Sequence, residues 1–241
     1  MSSRERWRGA FVSTLLVAAL CGCHGEPASR AGHGGAKRTG DLNEPGSTWT
    51  YDFEDDGAEE RPGGFEFALT GDGPPGRWRV VAAEGAPSGA HVLEQSDTAD
   101  DEMRFLVAAA EMPPVADVRV SVRARPVAGA VDQAFGLVLR YQDPDNYYLV
   151  RANALEHNVR LYHVKDGKRT QLRSWNGSVA HDQWHTLETE AVGDELRISF
   201  DDHALIDAHD TTFPDRGRVG LWTKADSVSQ FDDFVIQVID P

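Results

Sequence analysis

From Trp49 onward, apolar and polar residues alternate with a period of two through most of the chain. The alternation marks out short candidate strands: TWTYDFE, RWRVVA, HVLEQS, RFLVAA and DVRVSVRAR, then FGLVLRY, YYLVRAN, NVRLYHV and TQLRSW. WHTLETEAV, ELRISFD, HALIDAHD, RVGLWTK and FDDFVIQVI complete the series. Turn-forming breaks such as GDGPPG, DPDN, KDG and VGDE separate them at the short spacing of antiparallel sheets. No long stretch keeps a helical period, although EMPPVAD suits a single turn. Many short strands without intervening helices predict an all-β domain: a two-sheet antiparallel β-sandwich or jelly roll.

The same period sorts side chains to faces, and 135–164 is the informative stretch. If QDPDN closes a five-residue hairpin loop, Tyr141 lies opposite Tyr147 and Arg140 opposite Tyr148. Gly136, Val138, Val150 and Ala152 then share a core face, continued by Val159 and Leu161 across a turn at ALEH. The other face carries Tyr141, Tyr147, Arg151, Arg160 and Tyr162 among Leu137, Leu139 and Leu149. Tyrosine offers a flat ring with a hydroxyl tip, and arginine a fixed fork of donors. That mixture suits stacking on a sugar ring and gripping its hydroxyls. Trp175, in the SWNG turn, is a further stacking candidate. The same pattern also fits a plain solvent face with arginine stems lying along it. A one-residue register slip would exchange the faces and present Arg140, Tyr148 and His163 instead.

The start of the chain reads differently. Arg4, Arg6 and Arg8 precede an apolar run from Phe11 to Leu20, too short to span a bilayer and suited to a secretory signal over residues 1–22. The run ends in LCGC, which resembles a bacterial lipobox with Cys23 as the lipidated residue; a plain cleavable signal is the alternative. His24 rather than Asp follows, a pattern that directs such lipoproteins to the outer membrane. Residues 23–48 then form a tether rich in Gly, Ala, Pro and charge, ahead of a domain over 49–241. Cys21 and Cys23 are the two cysteines, so the domain holds none and relies on its core rather than on disulfides. The formal net charge of −15 argues against nucleic acid or an anionic lipid surface as partner, leaving the lipid anchor as the membrane contact. A monomer is expected.

Several segments resemble a known superfamily. GLVLRYQDPDNYYLVRANALEHNVRLYHVKDGKRTQL, QWHTLETEAVGDELRISFDDHAL and GRVGLWTKADSVSQFDDFVI are similar to the concanavalin A-like lectin/glucanase superfamily. The likeness is greatest to secreted bacterial 3-keto-disaccharide hydrolase-like or family 16 glycoside hydrolase-like domains. It implies a concanavalin A-like jelly roll over roughly residues 49 to 239 and a carbohydrate partner, with the first and last strands side by side. The fold hosts lectins, hydrolases and adhesion modules, so it does not fix an activity. Some members hold a structural Ca²⁺ where the terminal strands meet, which makes Asp52, Glu54, Asp232 and Asp233 candidate oxygen ligands. Asp232 alternates in phase with Phe234 and Ile236, so it points inward and needs a partner: an ion, a backbone N–H or an arginine.

Catalytic signatures are missing. A family 16 enzyme needs Glu-x-Asp-x-Glu or its longer form, with two carboxylates about 5–5.5 Å apart. The nearest approach, Glu188-Thr-Glu190, lacks the central Asp and the third acid and reads as a solvent-facing pair. HDQWH, with His181 and His185, has a zinc-like spacing but no supporting Cys or HExxH; His185 reads as a core residue beside Leu187. No G-x-S-x-G or usable Cys provides a nucleophile. The sequence therefore predicts a cell-envelope lipoprotein with a glycan-binding or glycan-associated domain. A hydrolase of oxidised (3-keto) disaccharides and a structural envelope lipoprotein without a small ligand are the alternatives.

Overall fold

The computed structural model describes residues 35–42 and 44–239, so the expectations for the signal and for Cys23 lie outside the described residues. The strands in chain order are β1 (Lys37–Thr39), β2 (Thr48–Tyr51), β3 (Phe65–Thr70), β4 (Trp78–Ala82), β5 (His91–Gln95), β6 (Phe105–Ala110), β7 (Val118–Ala128) and β8 (Ala134–Asp143). They continue as β9 (Asn146–Asn153), β10 (Asn158–Lys165), β11 (Lys168–Asn176), β12 (His185–Val192), β13 (Glu195–Phe200), β14 (His203–His209), β15 (Arg218–Lys224) and β16 (Val228–Val238). All pairings are antiparallel, and the described residues contain no helix.

One sheet has nine strands: β1-β2-β16-β7-β12-β13-β14 in order, with β5 also beside β16 and β4 beside β5. The other has seven, ordered β11-β10-β9-β8-β15-β6-β3. The first and last long strands are adjacent, as the resemblance implies: β2 lies against β16, with Tyr51 opposite Phe234. Two strands were not foreseen. β1 pairs with β2 inside the stretch expected to be tether, and FEFALT forms β3 at an edge of the seven-stranded sheet.

Between the sheets lies the main core, where alternate residues of facing strands meet. Val118, Val120 and Val122 on β7 and Phe234 and Ile236 on β16 face Leu137 and Leu139 on β8 and Val150 on β9. Full burial of aliphatic side chains is worth about 1.5–3 kcal/mol each, which is how a domain without disulfides holds together. His185 belongs here. Its ring stacks on Phe200 with centroids 4.8 Å apart, Nδ1 lies 2.7 Å from Asp201 Oδ2, and Nε2 lies 3.0 Å from the Ala180 carbonyl.

A second cluster lies on the opposite face of the seven-stranded sheet: Phe105, Val138, Tyr141, Tyr147, Leu149 and Trp222, among others, all buried. The sheet's own curl helps to bury them. β9 and β3 are four strand spacings apart, about 19 Å if the sheet were flat. Yet Thr70 Oγ1 on β3 is 2.9 Å from the Tyr147 hydroxyl on β9, and it also donates to the Pro144 carbonyl. Likewise the Arg169 guanidinium on β11 lies 4.7 Å from the ring centre of Phe105 on β6. Twist has coiled one corner of the sheet over towards the other. Buried Arg104 braces that corner, donating to the carbonyls of Pro74 (2.7 Å), Ala99 (3.1 Å) and Ala225 (2.9 Å) and to the Asp97 carboxylate (2.6 Å).

Candidate functional site

The β9–β10 register is as the turn at ALEH predicts: Arg151 lies opposite Arg160, Val150 opposite Leu161 and Ala152 opposite Val159. The β8–β9 register is not. Leu139, not Arg140, lies opposite Tyr148, and a bulge separates Leu139 from Asp143, with Arg140 at φ +47°. An extra residue reverses the side-chain parity of the bulged strand. Leu137 and Leu139 consequently join the main core while Val138 turns to the other face, and beyond the bulge Tyr141 sits with Tyr147, ring centroids 5.9 Å apart.

One surface thus gathers Tyr141, Tyr147, Arg151, Arg160 and Tyr162. The three tyrosines are buried, at 2%, 0% and 5% exposure, and form a floor rather than an open stacking platform. Burial pushes the Tyr147 hydroxyl up to about 12, so it stays protonated. The polar part is built on the 153–158 turn. Arg151, 1% exposed, holds Glu156 through both terminal nitrogens, at 3.1 and 2.9 Å, and reaches Asn158 Oδ1 at 2.5 Å. Asn158 Nδ2 returns a bond to Glu156 Oε2 at 3.1 Å, and Arg160 adds an ion pair to the same oxygen at 3.2 Å. The Arg151 hydrogen bonds, helped by Asn158 and Arg160, lower Glu156 to about 2. Asn153 Oδ1 caps the turn by accepting from the amides of Leu155 and Glu156, both at 2.9 Å. Beside it, Asp132 accepts from Asn153 Nδ2 and from Lys224 at 2.6 Å.

Over the Tyr162 ring lie two guanidinium groups, Arg169 at 4.7 Å and Arg151 at 5.9 Å. Arg160, raised chiefly by the Tyr162 hydroxyl beside it, is 30% exposed at its side chain and Glu156 is 39% exposed. These charged ends are where the face meets solvent. Glu156, Asn158, Arg169, Asp132 and Lys224 were not singled out in the sequence. The spacing Arg151-x4-Glu156-x3-Arg160 around a hairpin turn was the signal available for the first of them.

Other candidates are placed elsewhere. Trp175 is in β11 rather than at a turn, opposite Val159, and packs on the main core. It faces away from Tyr162 because a bulge between Leu161 and Tyr162 resets the parity of β11. Arg140, Tyr148 and His163 do come together, around the 210–214 loop. The Tyr148 hydroxyl donates to Asp210 Oδ1 (2.7 Å) and accepts from the Phe213 amide (3.1 Å). Arg140 donates to the carbonyls of Phe213 (2.7 Å) and Gly193, and His163 Nδ1 lies 3.1 Å from Thr212 Oγ1. That arrangement braces a loop and commits both terminal nitrogens of Arg140 to backbone carbonyls.

Three of the four candidate calcium ligands have partners within the protein. Asp52 pairs with Lys37. Glu54 accepts the amides of Ala90 (2.9 Å) and His91 (2.7 Å). Asp232 accepts the Ser88 amide (2.8 Å) and hydroxyl and the Asp233 amide (2.7 Å). The inward carboxylate found the backbone N–H partners that were one of its options, and its burial raises it to about 6. Among the described residues no three His, Cys, Asp or Glu side chains gather to hold an ion. Glu188 and Glu190 line a shallow groove of about 350 Å³ on the outer face of the nine-stranded sheet, where Glu190 is held by Arg119 (2.7 Å) and Arg197 (3.1 Å). His181 bonds Gln133 at 2.9 Å, apart from the stacked His185.

With this geometry in view, the likenesses to known proteins are informative. The structure is similar to the carbohydrate-binding module CBM66 from Bacillus subtilis, with a TM-score of 0.55 and 22% identity over 71% of this chain and 94% of that one. The fold is a concanavalin A-like β-sandwich. A galectin-like protein of unknown function from Bacillus subtilis matches with a TM-score of 0.52 and 10% identity, covering 73% of this chain and 91% of that one. The exoplasmic/lumenal domain of VIP36, in its Ca²⁺/Man3GlcNAc-bound form, matches with 0.52 and 11%, covering 74% and 84%. In sequence, 80 residues are 31% identical to the levanase of Bacillus subtilis (strain 168), a stretch of 33% of this chain and 12% of the levanase. No family model matches the chain.

Proposed function

We propose that the protein is a non-catalytic carbohydrate-binding module on a cell-envelope lipoprotein. The observation that carries this reading is the curled face of the seven-stranded sheet: a buried tyrosine floor edged by Arg151, Glu156, Asn158 and Arg160 with their polar ends held in place. Preorganised donors and acceptors beside an aromatic ring grip a hydrated ligand at low entropic cost. Similarity to a carbohydrate-binding module, to the VIP36 domain in its Ca²⁺/Man3GlcNAc-bound form and, in part, to a levanase supports the same class of ligand. Arg160 and Glu156 would contact sugar, with Arg151 orienting Glu156 and with Tyr141, Tyr147 and Tyr162 as the floor. Lipidation at Cys23, release of residues 1–22 and attachment to the outer membrane, supported by the arginine-led apolar run and LCGC, complete the proposal together with a monomeric state. A glycan array probed with the domain tests it: wild type should retain a defined glycan set and Arg160→Ala should lose it. Absence of retention on any glycan would leave a structural lipoprotein as the better account.

A further inference from the structure

Around the Tyr162 ring, charge is unevenly matched. Four cations (Arg151, Arg160, Arg169 and Lys224) meet two carboxylates, Glu156 and Asp132. Glu156 is taken by Arg151 and Arg160, and Asp132 by Lys224. Arg169 is left over. Its guanidinium lies 4.7 Å from the ring centres of Phe105 and of Tyr162 and, among the described residues, makes no hydrogen bond or ion pair. Its Nη1 is buried and unpartnered. Burial lowers its affinity for its proton, and the charge of nearby Asp132, which is paired with Lys224, does not make up for it. Buried arginine Nε atoms without partners occur at several other places, but among the described residues Arg169 alone leaves a buried terminal guanidinium nitrogen unmade. A half-buried guanidinium with one desolvated, unpartnered nitrogen is costly to keep, and an anion at this point would relieve that cost and add charge-assisted bonds. The way in exists: Arg169 is on β11, the free edge of the sheet, one residue past the exposed 165–168 hairpin turn. A guanidinium presents its donors as a planar fork, which suits a planar carboxylate.

We propose that Arg169 is the specificity residue of this site and that its ligand is an acidic saccharide, bearing its carboxylate on the sugar as a uronate does. This rests on the carbohydrate-binding reading and narrows it. The carboxylate would meet Arg169, while the ring hydroxyls meet Arg160 and Glu156. The chain's overall charge of −15 would repel anions at a distance, so the selection is local, within the Debye length of about 10 Å at moderate salt.

The experiment is titration calorimetry at moderate salt with trigalacturonate, with its methyl-esterified form, and with a panel of other uronate and neutral oligosaccharides. Wild type should bind a uronate at least about ten-fold more tightly than the corresponding ester. Arg169→Gln should abolish that preference, Arg169→Lys should keep part of it, and Lys168→Gln on the exposed turn should leave it intact. Equal affinity for acid and ester, or binding of neutral saccharides alone, would overturn the proposal while leaving a carbohydrate-binding module. Binding to none of the panel, neutral members included, would overturn the carbohydrate reading itself. Because Arg169 also touches two rings, melting curves of each variant separate lost selectivity from a lost fold.

Discussion

Replacing Glu156 by glutamine probes the polar framework of the site through its pH dependence. Glu156 is lowered from 4.5 to about 2 by Arg151, with Asn158 and Arg160 assisting. A drop of that size would be worth about 3 kcal/mol if the group were dry. The Glu156 side chain is 39% exposed, however, so screening reduces the contribution to about 1–2 kcal/mol. The sign follows from the direction: a depressed carboxyl contributes fully above its unfolded value of 4.5 and loses that contribution as the pH falls through about 2. The substituted amide keeps an oxygen for Arg151 but no charge. Thermal unfolding of the two proteins should therefore differ most at about pH 6–7, by about 2–8 °C for a domain of this size. The gap should close steadily below pH 4.5. A gap that is constant with pH, or that widens in acid, would refute the placement of Glu156 as the counter-charge of a buried arginine.

Asp232, raised to about 6 by burial, behaves oppositely: wild type should lose stability as pH rises from about 4 through 6, and Asp232→Asn should flatten that dependence in urea unfolding. Tyr147→Phe removes the hydroxyl that meets Thr70 and should cost about 1 kcal/mol in the same assay, because Thr70 keeps the Pro144 carbonyl. Val150→Ala, fully buried in the main core, should cost about 2 kcal/mol through lost burial and a cavity while leaving glycan affinity unchanged. Cys23→Ser should move the protein from the membrane to the soluble fraction, and a variant that still pellets after a salt wash would remove the lipid anchor.

Alternation made the sandwich legible, because one apolar face per strand is a local property that survives any tertiary arrangement. Val150, Ala152, Val159 and Leu161 fell on the core face for that reason. The bulge at Arg140 was not legible: a residue in left-handed backbone leaves no break in LVLRYQD, yet it moved Leu137 and Leu139 to the opposite face from the one expected. Trp175 was misplaced because SWNG reads as a turn, whereas β11 runs on through it to Asn176. The curl was hidden more deeply, since it depends on contacts such as Thr70 with Tyr147, 77 residues apart. So the sequence located the Tyr and Arg surface, while the state of its rings, buried and edged by Glu156 and Arg169, came from the assembled sheet.

The central claim, that this edge is where saccharide binds, is tested most directly by NMR of the ¹⁵N-labelled domain titrated with a glycan that it retains. Arginine side-chain signals make the site itself visible. The account predicts saturable shifts at the side chains of Arg160 and Arg169 and at the amides of 153–162. Saturable shifts confined instead to the Glu188–Glu190 groove or to the 210–214 loop, with Arg160 and Arg169 unmoved, would contradict it.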